Sequence, residues 1–323
     1  MAVPTNTNQT FTQVNIREDL IDAIYNVDPF KTPFLNMCKK GKATQTLHEW
    51  DTDSLAAQDL NNAAVQGDNP TNIAIAPTVR LGNNTQISTK TIQISGTSQA
   101  VVAAGGSNKM GYQLLKKSKE LKRDMEGILT NNQAKSSGSS ASATKLAGWP
   151  AWVASNETFD ATSGADPSEG APFDGTHTRT YSSAQTALNE TNTKTILQKI
   201  YTASGESPEY ILCSPTNKQN FSAFLGPSGS TRFVQVEDAV FKTKIDVYES
   251  DFGDVKIIPD IFLSTSKNIM FVNPNYVRVC YLRPFTTIPL AKTGDSDQKE
   301  LLVEYTLEVG NEKAHGAMYD TTG

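Results

Sequence analysis

The 323-residue chain is short of the side chains on which most site chemistry is built. It has only three cysteines, Cys38, Cys213 and Cys280, an odd number set far apart. That pattern supplies neither a disulfide framework nor a Cys-x-x-Cys metal pair, and reads as three reduced thiols in a protein made in a cytoplasm. The three histidines, His48, His177 and His315, fall in different regions without His-x-x-x-His or Glu-x-x-His spacing, so no metal site is expected. No stretch approaches the roughly eighteen apolar residues of a membrane span. Residues 1–10 have neither a basic n-region nor an apolar run, so no signal peptide is expected. Charge is sparse as well: Asp, Glu, Lys and Arg make up 20%, and 29 basic against 34 acidic residues leave a net charge of −5. Such a balance excludes a surface that grips nucleic acid throughout, and leaves room for a local basic face.

Catalytic motifs are missing too. There is no Gly-x-x-x-x-Gly-Lys-Ser/Thr loop and no Gly-x-Gly-x-x-Gly. Gly226-Pro227-Ser228-Gly229-Ser230 fails the nucleophile-elbow pattern at its last position and lacks a preceding apolar strand. The pairs Asp51/Asp53 and Asp295/Asp297 read as solvated loop charges. No catalytic residue, cofactor or metal ligand is therefore assigned, and an enzyme is not expected.

What the chain does have is abundant Asn, Thr, Ser, Gln and Ala, a surface suited to packing against copies of itself. It also has one long helical pattern, 108–135, of roughly 40 Å at 1.5 Å per residue. Leu114, Ser118, Leu121, Met125 and Ile128 recur at three- and four-residue steps along one face; Leu114, Leu121, Met125 and Ile128 are the expected packing residues. Lys116, Lys119, Lys122 and Arg123 form a basic face, with Glu120, Asp124 and Glu126 interleaved as surface ion pairs.

Around this strut the chain divides into five stretches. Residues 1–45 read as an arm with a short helix after Asn15 and an apolar segment at Thr32-Pro33-Phe34-Leu35. Residues 46–98 read as a hairpin, strand-like at Leu47-His48-Glu49-Trp50 and Val79-Arg80-Leu81, with a bend expected between Ile87 and Ile92. Its tip, 58–71, is polar, nearly without large apolar groups, and has little core of its own. Gln58, Asp59, Asn61, Asn62, Gln66, Asp68 and Asn69 are its candidate contacts with a partner chain. Residues 99–182 hold the long helix, a flexible Ser/Gly linker at 136–142, an anchor at Trp149-Pro150-Ala151-Trp152 and an irregular loop. Residues 183–267 form an α/β unit: a helix over 191–203 ended by Gly205, a strand at 210–213, and a helix opened by Ser214-Pro215 that runs through Leu225. Residues 268–323 are strand-rich. In 301–309 Leu301, Val303, Tyr305, Leu307 and Val309 alternate with Glu304, Thr306 and Glu308, a half-buried antiparallel strand with a solvated polar face.

Five short segments in order carry a family resemblance: Arg17-Glu18-Asp19-Leu20, Thr32-Pro33-Phe34, Gly41-Lys42-Ala43-Thr44, Glu49-Trp50 with Asp53-Ser54-Leu55, and Lys119-Glu120-Leu121-Lys122-Arg123-Asp124-Met125-Glu126. Lys145-Leu146-Ala147-Gly148 joins them. From Thr10 through the long helix, and more loosely beyond, the chain resembles the SU-ten-type major head proteins of tailed bacteriophages. That resemblance implies the α+β Hong Kong 97-type fold, with N-arm, E-loop, P-domain spine helix and A-domain. It implies a major capsid protein whose hexamers and pentamers build an icosahedral head around double-stranded DNA, made and assembled in a bacterial cytoplasm. Implied partners are further copies of the chain, a separate scaffolding protein, a portal, a decoration protein and packaged DNA by non-specific proximity; no membrane is involved. Some relatives join Lys to Asn covalently; Lys90 lies in the hairpin, but no catalysing carboxylate is marked, so cross-linking is not expected. An encapsulin-like nanocompartment shell, with protein cargo, is the alternative within the same architecture. A hydrolase with a lid hairpin is the alternative outside it, and would need convergent polar residues in a pocket.

Overall fold

A computed structural model of the chain describes residues 31–67, 69, 74–75, 77–101, 109–159, 162–168, 173–224, 247–264 and 268–321. The helix read after Asn15, the tip residue Asp68 and the motif at 226–230 lie outside these residues.

Pro33 opens α1 (Pro33–Met37), its fixed φ suiting the first helical position, and Phe34 and Leu35 are buried on it. After β1 (Lys39–Lys42), β2 (Leu47–Thr52) and β3 (Val79–Asn84) pair antiparallel as a two-stranded ribbon of their own. β4 (Gln86–Ser95) leaves that ribbon and joins a different sheet. The bend expected between Ile87 and Ile92 is not there. β4 pairs without a register shift, and the two isoleucines differ in burial because residues five apart on an unbroken strand face opposite sides. The chain turns at the buried Thr85 instead, whose amide donates to the Thr46 carbonyl.

After α2 (Gly96–Ala100) comes α3 (Lys109–Thr130), about 33 Å long at 1.5 Å per residue. It stops short of the 135 expected from its pattern. Asn132 donates to the Arg179 carbonyl and accepts from the Arg179 amide, and the Gln133 carbonyl accepts from the Gly148 amide. These long-range bonds take the backbone away from the helical ladder. The Ser/Gly tract is not a linker: Ser136 and Lys145 exchange both backbone hydrogen bonds and close it into a loop.

β5 (Glu157–Thr158) precedes α4 (Glu190–Ser204), which Asn189 caps and Gly205 ends in the left-handed region at φ 73°. β6 (Tyr210–Cys213) leads through the Ser214 cap into α5 (Pro215–Ser222), three residues shorter than expected at its C-terminal end. β7 (Val247–Ser250), β8 (Gly253–Pro259), β9 (Ile269–Val272), β10 (Val277–Pro289), β11 (Ser296–Val309) and β12 (Gly316–Met318) complete the described chain.

Two larger sheets result. One runs β1-β10-β11-β4, with α3 across β4 and β11; the other runs β5-β12-β9-β6-β8-β7. Leu121, Met125 and Leu129 of α3 share one core with Phe34, Trp149, Trp152, Val303, Tyr305 and Leu307. Ile196, Leu197 and Ile200 of α4 share a second with Ile211, Val255, Ile257 and Phe271. Ile128 packs at the rim of the first core, and Leu114 is half-buried.

Candidate assembly interface

The β2–β3 ribbon is rooted on β11. Leu301, Val303, Tyr305, Leu307 and Val309 are buried as their alternation dictates, but the polar face is not solvated: Glu304 and Thr306 are buried too. The root of the ribbon covers them. Thr306 donates its hydroxyl to the Asn84 carbonyl, and the Thr85 hydroxyl donates to Glu304 Oε1 at 2.8 Å. Arg283 donates to the other oxygen of Glu304 at 2.6 Å. Asn83, fully buried, donates to the Leu307 carbonyl and accepts from the Ala147 amide. Further along β11, Glu308 Oε2 lies 3.1 Å from His48 Nε2 and accepts the Cys280 thiol at 3.1 Å, while Arg278 approaches Oε1 at 3.4 Å. Burial first, and then the bond to Glu308, push the Cys280 thiol up to about 12. Trp50 adds an apolar contact, its ring 5.3 Å from that of Trp152. A strand that reads as half-solvated is therefore the seat of the hairpin. Its signal in the sequence is the Glu-x-Thr-x-Glu spacing on one face, uninformative until the covering strand is known.

Beyond this root the described residues of the hairpin are largely exposed. Gln58, Asp59, Asn61, Asn62, Gln66 and Asn69 are all exposed, with Asp59 accepting the Asn61 amide in a local turn. The stretch is less polar than its composition suggests. Leu55 is 100% exposed, Leu60 85%, Val65 75% and Ile75 96%. Among the described residues, nothing covers them.

On α3, Lys116, Lys119 and Lys122 are exposed, Lys122 lying 6.0 Å from the centre of the Phe285 ring. Arg123 is half-buried and does not continue that exposed row. Lys117 pairs with Glu120 at 2.7 Å and holds its carboxyl below the usual range. Lys90 pairs with Asp124 at 2.6 Å, tying β4 to the helix. Glu126 corrects the reading of the acidic residues as surface partners: it is fully buried, and its two oxygens accept the amides of Phe34 and Leu35 at 2.6 and 2.7 Å. Helical spacing conceals this, because Lys122 and Arg123 at i−4 and i−3 look like ordinary surface partners.

The model of a family described as SU10 major capsid protein matches residues 3–322. The major capsid protein of Escherichia phage Phieco32 is 29% identical over 325 residues, covering 92% of each chain. Among solved structures, the Cyanophage A-1(L) capsid asymmetric unit matches with a TM-score of 0.62 at 12% identity, over 98% of this chain and 100% of its own. The holo-SrpI encapsulin complex from Synechococcus elongatus PCC 7942 matches at 0.53 and 9% identity, over 95% and 92%. These structural likenesses establish the fold, the α+β Hong Kong 97-type fold shared by phage capsids and an encapsulin. The family match and the Phieco32 relative carry identity beyond fold: the chain belongs to the SU10 major capsid protein family and is a structural protein of a phage capsid.

Proposed function

We propose that the chain assembles as hexamers and pentamers into the icosahedral head of a tailed phage, and that the β2–β3 hairpin lies across the neighbouring subunit. The observation that carries this reading is the exposure of Leu55, Leu60, Val65 and Ile75 on a ribbon whose root is firmly seated. A two-stranded ribbon has no core, and four large apolar side chains left in water gain stability only by burial against another surface. Gln58, Asp59, Asn61, Asn62, Gln66, Asp68 and Asn69 then supply the polar rim of the contact. The exposed Lys116, Lys119 and Lys122 suit a shell face turned towards packaged DNA, held by charge without sequence preference. Assembly in the bacterial cytoplasm, guided by a separate scaffolding protein and completed by a portal and a decoration protein, follows from the same reading.

The test is deletion of 58–71 in the chain co-expressed with the other head proteins of its phage. Circular dichroism and thermal unfolding should be unchanged, and electron microscopy should show capsomers or free subunits in place of closed shells. Normal shells from the deletion variant would overturn the inter-subunit role of the hairpin.

A further inference from the structure

The seat of the hairpin gathers three chemically different metal ligands from three strands. His48 comes from β2, Cys280 from β10 and Glu308 from β11, and their ligand atoms all lie within 4.8 Å of one another. Glu308 Oε2 stands 3.1 Å from His48 Nε2 and 3.1 Å from Cys280 Sγ. Zinc bonded at about 2.0–2.3 Å to nitrogen, oxygen and sulfur in a tetrahedron holds its ligands about 3.3–3.7 Å apart. Opening the two 3.1 Å contacts of Glu308 to that spacing makes room for the ion, with His48 Nε2 and Cys280 Sγ within 4.8 Å of each other.

We propose that His48, Cys280 and Glu308 bind a divalent transition metal, zinc above all, that fastens the hairpin to the four-stranded sheet. The donor set decides the class of metal. A thiolate with an imidazole and a carboxylate suits zinc or cobalt, whereas magnesium and calcium take oxygen alone. Three protein ligands leave a fourth position for water.

The surroundings hold the donors in place. Gly41 pairs with Cys280 in the β1–β10 register, and a side chain at 41 would run into the Cys280 sulfur. Arg278 reaches the other oxygen of Glu308, which orients the carboxylate and leaves Oε2 for the ion. On binding, the Cys280 S–H bond breaks, its proton leaves to water, and a sulfur–metal bond forms; His48 gives up the Nε2 proton it shares with Glu308 and takes one from water at Nδ1, so the ring stays neutral while Nε2 and Glu308 Oε2 each bond the metal. Nothing is oxidised or reduced. Thiolate and carboxylate balance the two positive charges.

The experiment is titration of the metal-free, full-length subunit with Co2+, followed by displacement with Zn2+. One thiolate-to-cobalt charge-transfer band per chain is expected in the near ultraviolet, removed by Cys280→Ser and retained by Cys38→Ser and Cys213→Ser. Zn2+ should abolish the band and raise the unfolding temperature, and EDTA should reverse the rise. Because Cys280 is buried, its replacement can also disturb folding. His48→Gln, at a half-buried position, decides independently and should weaken Co2+ and Zn2+ binding at least tenfold. No band at millimolar Co2+, a band that survives Cys280→Ser, or unchanged affinity in His48→Gln would each overturn the proposal.

Discussion

Glu126 has no exposed surface, and burial, followed by the charge of nearby Asp260, pushes its carboxyl from 4.5 up to about 8 despite the two amides it accepts. Asp260, also buried, is pushed from 3.8 up to about 6. Both folded-state values lie above the unfolded ones, so the folded subunit binds more protons between them. The stability these protons confer is complete below the unfolded values and is lost as pH rises through the folded ones. Denaturant unfolding of the unassembled subunit should therefore show a midpoint that falls between about pH 5 and about pH 8. Glu126→Gln should flatten that slope. At the acidic end it should cost about 1–3 kcal/mol, because an amide side chain offers one acceptor where two backbone donors wait. A variant with the parental slope would show that another group sets it. Arg179 is a buried charge whose removal should also be felt. Its guanidinium lies against Glu157, reaches Asp166 at 2.8 Å and stacks 3.8 Å from the Tyr319 ring. Arg179→Ala strands Glu157 in the interior, and should cost about 3–5 kcal/mol in equilibrium unfolding.

The elements legible in the sequence are those whose ends carry local chemistry. Gly205 ends α4, and Ser214 with Pro215 starts α5, because caps and left-handed glycines act within a few residues; the Asn189 cap that starts α4 was not read. Where partners are distant, boundaries slip. α3 ends at Thr130 because Asn132 is drawn to Arg179 and Gln133 to Gly148, neither predictable from helical periodicity. β10 and β11 run longer than their apolar alternation, since at their far ends Arg283, Thr286, Lys299 and Glu300 pair across two register shifts with no apolar rhythm to announce a strand. The central turns of α3 make the sharpest test at this scale. Leu121 is fully buried in the core beneath the helix, and Leu121→Ala should lower unfolding stability by about 2–5 kcal/mol. Leu121→Asp should abolish soluble folding, since it sets an unpaired charge there. Lys119→Ala, on the exposed side, should stay within about 0.5 kcal/mol of the parent. Equal effects at 119 and 121 would mean the helix packs on a different face.

On the scale of the whole molecule, the subunit roots its hairpin firmly and leaves Leu55, Leu60, Val65 and Ile75 exposed beyond the root. The polar half of the tip was visible in its Asn, Asp and Gln content. Leu55, Leu60, Val65 and Ile75 were not, because spacings of five and ten match neither strand nor helix periodicity, and single apolar residues in a loop mean nothing until their exposure is known. Fully burying one such side chain is worth about 1.5–3 kcal/mol. If the hairpin lies across a neighbour as proposed, every subunit both gives and receives one, so each substitution acts at every such contact. Leu60→Ser should leave the unfolding temperature of the free subunit unchanged, since 85% of that side chain is already in water. It should nonetheless raise the concentration needed for assembly about ten- to a hundredfold, at about 1.4 kcal/mol per factor of ten. Light scattering across a dilution series measures that threshold, with calorimetry on the same samples for the fold. A threshold that moves only together with the unfolding temperature would place Leu60 inside the subunit's own stability. A threshold that moves alone would place it in the contact between subunits.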